Sequence, residues 1–118
     1  MAAGTSTLGR ITIASEAIAQ IVGETARECY GVVGMAARGG PVGKLLGRRE
    51  RSTLGIQIAR EAGGDGVTID LHVVVEYGLN LAEVASTIRN RVSYEVGRLT
   101  GLPVRAVEVH IDDVRRSS

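Results

Sequence analysis

Apolar residues follow two rhythms along this chain. Leu8-Gly9-Arg10-Ile11-Thr12-Ile13 alternates, with Ile11 and Ile13 on one side and Arg10 and Thr12 on the other, which predicts a short strand. Ser15 then has the chemistry of an N-cap, because its hydroxyl accepts from a free amide of the first turn. Ile18, Ile21, Val22, Ala26 and Cys29 recur at spacings of three and four, with one adjacent pair, and predict an amphipathic helix ending near Tyr30-Gly31. Cys29 extends the apolar stripe, so a buried, unreactive thiol is expected. Val32 to Ala36 reads as another short strand, weakened by Gly34.

The period-two pattern is clearest further on. Leu54, Ile56 and Ile58 alternate with Gly55, Gln57 and Ala59. Gly63-Gly64-Asp65-Gly66 supplies residues that tolerate the positive φ of a tight reversal. Val67, Ile69, Leu71, Val73, Val75 and Tyr77 then point one way, and Thr68, Asp70, His72, Val74 and Glu76 the other. A hairpin follows, with one buried and one wetter face. Asn80 and Glu83 have capping-box spacing, and Leu81, Val84, Ala85, Ile88, Val92, Val96 and Leu99 form the stripe of a second helix. Gly101 sits at the C′ position and Pro103 forbids continuation. A last strand is predicted over 105–112, with Val107, Val109 and Ile111 inward and Glu108, His110 and Asp112 outward. An aspartate at 109 should therefore abolish folding.

The order β-α-β-β-β-α-β predicts an α+β two-layer sandwich, with both helices on one face of a mixed sheet. The last two strands flank a helical crossover, so they should be parallel and the connection right-handed. The domain is placed at 8–114, between flexible tails at 1–7 and 115–118.

Composition narrows the function classes. In 118 residues, 14 Lys+Arg balance 13 Asp+Glu, which argues against histone-like nucleic-acid binding. No apolar run is long enough to span a bilayer, and the first residues lack the basic and apolar regions of a signal peptide, so a cytoplasmic protein is expected. One cysteine excludes an internal disulfide and a multi-cysteine zinc site. Charge is concentrated at 37–53, a glycine-rich stretch where Arg38, Lys44, Arg48, Arg49 and Arg51 face Glu50 alone. It reads as a loop able to meet anionic lipid, nucleic acid or an acidic protein partner, or as a merely solvated one.

No enzyme signature survives inspection. The Gly43-Lys44 pair is not a P-loop, because Arg38 stands where the first glycine is needed and Leu45 where Ser or Thr is needed. Ser15, Ser52, Ser86 and Ser93 lack a nucleophile-elbow context. His72 and His110 would share the open sheet face with Asp70, Glu76, Glu108 and Asp112 if their strands are neighbours. Two imidazoles and a carboxylate are a possible metal set, but polar decoration of a wet face is the preferred reading, so neither metal nor cofactor is assigned.

Four segments in order carry a resemblance: Gly9-Arg10-Ile11-Thr12-Ile13-Ala14; Gly31-Val32-Val33-Gly34-Met35; Tyr77-Gly78-Leu79-Asn80-Leu81-Ala82-Glu83-Val84; and Leu99-Thr100-Gly101-Leu102-Pro103-Val104 with Val107 to Ile111. Together they make the chain, over roughly 8–114, resemble the alkaline shock protein family of bacterial envelope-stress proteins. The resemblance implies a small non-enzymatic protein at or near the inner face of the plasma membrane. It implies self-association into a homo-oligomer and docking on a membrane-anchored partner; the alternative, which the basic stretch at 37–53 suggests, is a nucleic-acid-binding α+β domain. No catalytic residue is carried over. The basic insertion at Arg38–Arg51 is longer and more charged than the family pattern.

Overall fold

A computed structural model describes residues 5–6, 9–36 and 54–116. The elements are β1 (Thr5–Ser6), β2 (Gly9–Arg10), α1 (Ser15–Glu28), β3 (Val32–Met35), β4 (Ile56–Arg60), β5 (Val67–Glu76), α2 (Leu81–Thr100) and β6 (Val104–Arg115). The α+β class and element order match the sequence pattern, with β1 added in front. The basic segment 37–53 lies outside the described residues, and its five cations with it.

β5 is the spine of a four-stranded mixed sheet. β6 runs parallel to it along its whole length, from Val67 opposite Val104 to Glu76 opposite Arg115. That occupies one edge of β5, so β3 and β4, both antiparallel, share the other. β4 pairs with the first half (Ile56 opposite Leu71) and β3 with the second (Met35 opposite Val73). Between them, Ala36 N–H donates to the His72 carbonyl at 2.9 Å, and His72 N–H donates to the Gly55 carbonyl at 2.8 Å. The two strands thus form one interrupted line, which the chain leaves at Ala36 and rejoins at Gly55. Gly55 needs its φ of +77° there, and a Cβ on it would collide with the Ala36 carbonyl.

Both helices cover one side of the sheet. Ile18, Val22 and Ala26 of α1 and Ile88, Val92 and Val96 of α2 are fully buried against Val67, Ile69, Leu71, Val73 and Val75. Burying each such side chain is worth roughly 1.5–3 kcal/mol. α2 is bounded as its sequence requires: the Asn80 side chain accepts from Glu83 N–H at 3.1 Å, and Gly101 closes the helix at φ +76°.

Several local expectations are corrected. The N-cap of α1 is Ala14, whose carbonyl accepts from Ile18 N–H, so Ser15 is already inside the helix and its hydroxyl accepts from Arg60 instead. Of the strand expected over 8–13, Gly9–Arg10 is the part that lies in a strand among the described residues; it pairs with Thr5–Ser6 in a separate ribbon, and Ile11 is 70% exposed. Thr5–Ser6 therefore falls in a strand rather than in a tail. β6 runs to Arg115, whose carbonyl accepts from Tyr77 N–H, so Arg115 too is sheet and not tail. Leu81 and Leu99 lie in the terminal turns of α2 and are exposed. Val74, on the side expected to be wet, is 4% exposed.

Candidate functional site

The side of the sheet away from the helices holds a cluster of ionisable side chains, Asp70, His72, Glu108, His110 and Asp112. It is built by register. In the parallel β5–β6 pair Asp70 lies opposite Glu108 and His72 opposite His110. Adjacent strands are roughly 4.8 Å apart, so these four side chains rise from the sheet in two neighbouring rows. The two imidazoles stack, with ring centroids 4.4 Å apart and planes 13° from parallel. His72 Nδ1 lies 3.1 Å from both carboxylate oxygens of Asp112, and His110 Nε2 lies 3.1 Å from Asp70 Oδ1. An ionised carboxylate only accepts, so each of these ring nitrogens carries a proton and donates.

The two pairs differ in exposure. The side chains of His72 and Asp112 are 12% and 26% exposed, those of His110 and Asp70 43% and 33%. A bulge between Val73 and Val74, where Ile111 and then Asp113 are the register partners, leaves Asp112 without an opposite residue; it meets His72 one step back along the sheet. Asp113 is bridged by Arg115 at 3.2 Å. Among the described residues, no arginine bridges Asp70 or Glu108. The sequence pattern had put both histidines on this face, but not their register, the stacking or the carboxylate held by each.

The other features are distributed differently. Cys29 is buried, its thiol donates to the Thr25 carbonyl, and burial pushes its pKa up, which suits the expected inert thiol. Tyr30, Leu79, Asn80, Glu83, Val84 and Thr87 line a shallow pocket of about 280 Å³ where two of the resemblance segments meet. Gly31 makes that meeting possible: it has φ +92°, and a Cβ would lie 2.6 Å from Leu79 Cδ1. Tyr77, exposed nearby in sequence, carries the Arg116 guanidinium 4.3 Å over its ring. Finally, among the described residues β6 pairs with β5 alone, so one edge of a twelve-residue strand is free.

A two-layer α+β domain with a hydrogen-bonded polar cluster on the sheet face away from the helices and, among the described residues, a long unpaired edge is the class defined here. The chain belongs to the alkaline shock protein 23 family, described as having a cell envelope-related function, whose model matches residues 3–116. It is 36% identical to the uncharacterized protein YloU of Bacillus subtilis strain 168 over 109 residues, covering 91% of this chain and 89% of that protein. It is 30% identical to YqhY, uncharacterized and from the same organism, over 104 residues, covering 88% and 76%. In fold it is similar to the MamM CTD, with a TM-score of 0.52 at 15% identity over 85% of this chain and 98% of that one. No helix among the described residues is long and apolar enough to cross a membrane.

Proposed function

We propose that this protein is a non-enzymatic interaction module of bacterial envelope homeostasis and stress response. It acts in the cytoplasm, at the inner face of the plasma membrane, by self-association and by docking on a membrane-associated partner. Membership of an envelope-related family supports the setting. The free outer edge of β6 carries the mode of action. Between its two bulges, Ala106 to Ile111 of β6 offer a regular row of backbone donors and acceptors to a second strand. A second copy of the chain supplies an equal edge, and a two-fold pairing of like edges occupies both copies of β6 and stops at two chains.

The second contact of the proposal is the segment 37–53. Arg38, Lys44, Arg48, Arg49 and Arg51 give it a net charge of +4, and the described residues at its ends, Ala36 and Leu54-Gly55, converge on one point of the sheet. A basic segment returned to one root presents its charge as a unit to an acidic protein or to anionic headgroups, each cation contributing about 1 kcal/mol near such a surface.

Sedimentation velocity over a wide concentration range, joined to hydrogen exchange, tests the first contact. Dimer should accumulate as concentration rises, and amides of Val104–Arg115 should gain protection with it; a monomer throughout, or protection confined to other elements, rejects edge pairing. Flotation with anionic vesicles in competition with an oligonucleotide tests the second. Vesicle binding lost when the five cations become serine supports it, whereas preference for the oligonucleotide favours a nucleic-acid-binding domain.

A further inference from the structure

We propose that the open face of the sheet binds a divalent transition-metal ion of the zinc type through Asp70, Glu108 and His110, with His72 and Asp112 as the positioning pair. One donor atom from each of the three residues lies within 4.8 Å of the others. Donors sharing a tetrahedral ion at ~2.1 Å are themselves about 3.4 Å apart. His110 Nε2 and Asp70 Oδ1, at 3.1 Å, already have nearly that separation, with a proton where the ion would sit. Glu108 is exposed and closes the remaining distance by rotating its side chain.

Three further observations favour an ion over simple decoration. First, Asp70 and Glu108 stand directly opposite one another on adjacent strands, an arrangement that like charges disfavour and a cation reverses. Second, all three donors rise from paired strands, with β5 bonded on both edges, so the backbone holds them without a flexible loop. Third, His110 does not stand alone: His72 stacks on its ring, and Asp112 fixes His72 through both carboxylate oxygens. A ring stacked on a neighbour that is itself held keeps its plane without a flexible partner.

The imidazole selects the metal class. Magnesium and calcium seek oxygen ligands and more of them, while zinc and nickel accept one nitrogen beside carboxylates. Three protein donors leave at least one position on the ion for water or for a donor from another molecule. The proposal does not depend on edge pairing by β6, because all three donors come from one chain.

Titration of the full-length, chelator-stripped protein with zinc chloride alone, by calorimetry near neutral pH, provides the test, with magnesium chloride as the comparison. One equivalent of zinc is expected, with no competition from magnesium. His110→Ala and, separately, Glu108→Gln should weaken zinc by more than about 10-fold while melting as the parent does, and His72→Ala should weaken it by about 10-fold. In imidazole nitrogen NMR, zinc should shift His110 Nε2 and leave the Nδ1 proton of His72 in place. Absence of zinc binding, equal affinity in His110→Ala, or a zinc shift on His72 in place of His110 overturns the proposal.

Discussion

The two sides of β5 are made from alternate residues of the same ten and have little else in common. Val67, Ile69, Leu71, Val73 and Val75 are wholly withdrawn from solvent under the helices. Asp70 and His72, in between, hydrogen-bond and stack with side chains of β6 on the side away from the helices. A strand changes face at each residue, so stability and chemistry reside in interleaved sets and change independently. An apolar site tolerates no unpaired charge, whereas the outer side already holds Asp70 and Asp112 against imidazoles and leaves Glu108 exposed.

Leu71→Asp should make the largest difference between the sides. It strands a carboxylate where nothing solvates it, a defect comparable with the whole stability of a domain, roughly 5–15 kcal/mol. Loss of a cooperative melt is expected. Asp70→Asn, one residue away, should melt within about 0.5 kcal/mol of the parent by denaturant titration. If the two variants melt alike, the sides are not separate.

Val109→Asp sharpens the contrast on β6. The alternation alone predicts that this variant does not fold, but Val109 is only partly buried and its strand borders a free edge. A carboxylate there reaches water with a modest side-chain turn. We expect a folded chain weakened by about 2–3 kcal/mol in urea, between the two variants of β5. Complete unfolding would show that the β6 edge is covered in solution.

These cases show which parts of the fold local pattern encodes. β5 and α2 were legible because alternation, the Asn80 cap and the Gly101 stop are each written within a few residues. The joining of β3 and β4 into one line was not, because Ala36 and Gly55 become neighbours only through their shared partner His72. Likewise, parity put His72 and His110 on one face, but their side-by-side placement depends on a parallel register set by the packing of α2. Val74 misled for a related reason: alternation assigns a residue to a side, and what else covers that side is tertiary information. The basic residues of 37–53 were legible as charge alone.

Helix capping gives a smaller test of the same distinction. Asn80→Ala removes an acceptor that Glu83 N–H uses and should cost about 0.5–2 kcal/mol. Ser15→Ala removes no cap, since Ala14 holds that position without a side-chain bond, and should lose only the 3.3 Å contact from Arg60. Equal losses in thermal melts would mean that Ser15 caps α1 after all.

The smallest effect belongs to the turn between β4 and β5, and it is visible through pH. Glu61 brackets that turn: its N–H donates to the Gly66 carbonyl at 2.8 Å and its carboxylate accepts from Gly66 N–H at 3.1 Å. The Gly66 amide, followed by the Arg105 guanidinium, holds the Glu61 carboxyl below its ordinary value of 4.5. Because the folded chain binds this proton less readily than the unfolded one, the bracket stabilises fully above the ordinary glutamate range and fades as pH falls through the lowered value. Glu61→Gln should therefore melt slightly below the parent at neutral pH, and the gap should narrow below pH ~4 as Glu61 of the parent loses its charge. A gap that stays constant with pH would assign the effect to side-chain packing at the turn rather than to the charge, leaving β4 and β5 joined by backbone geometry alone.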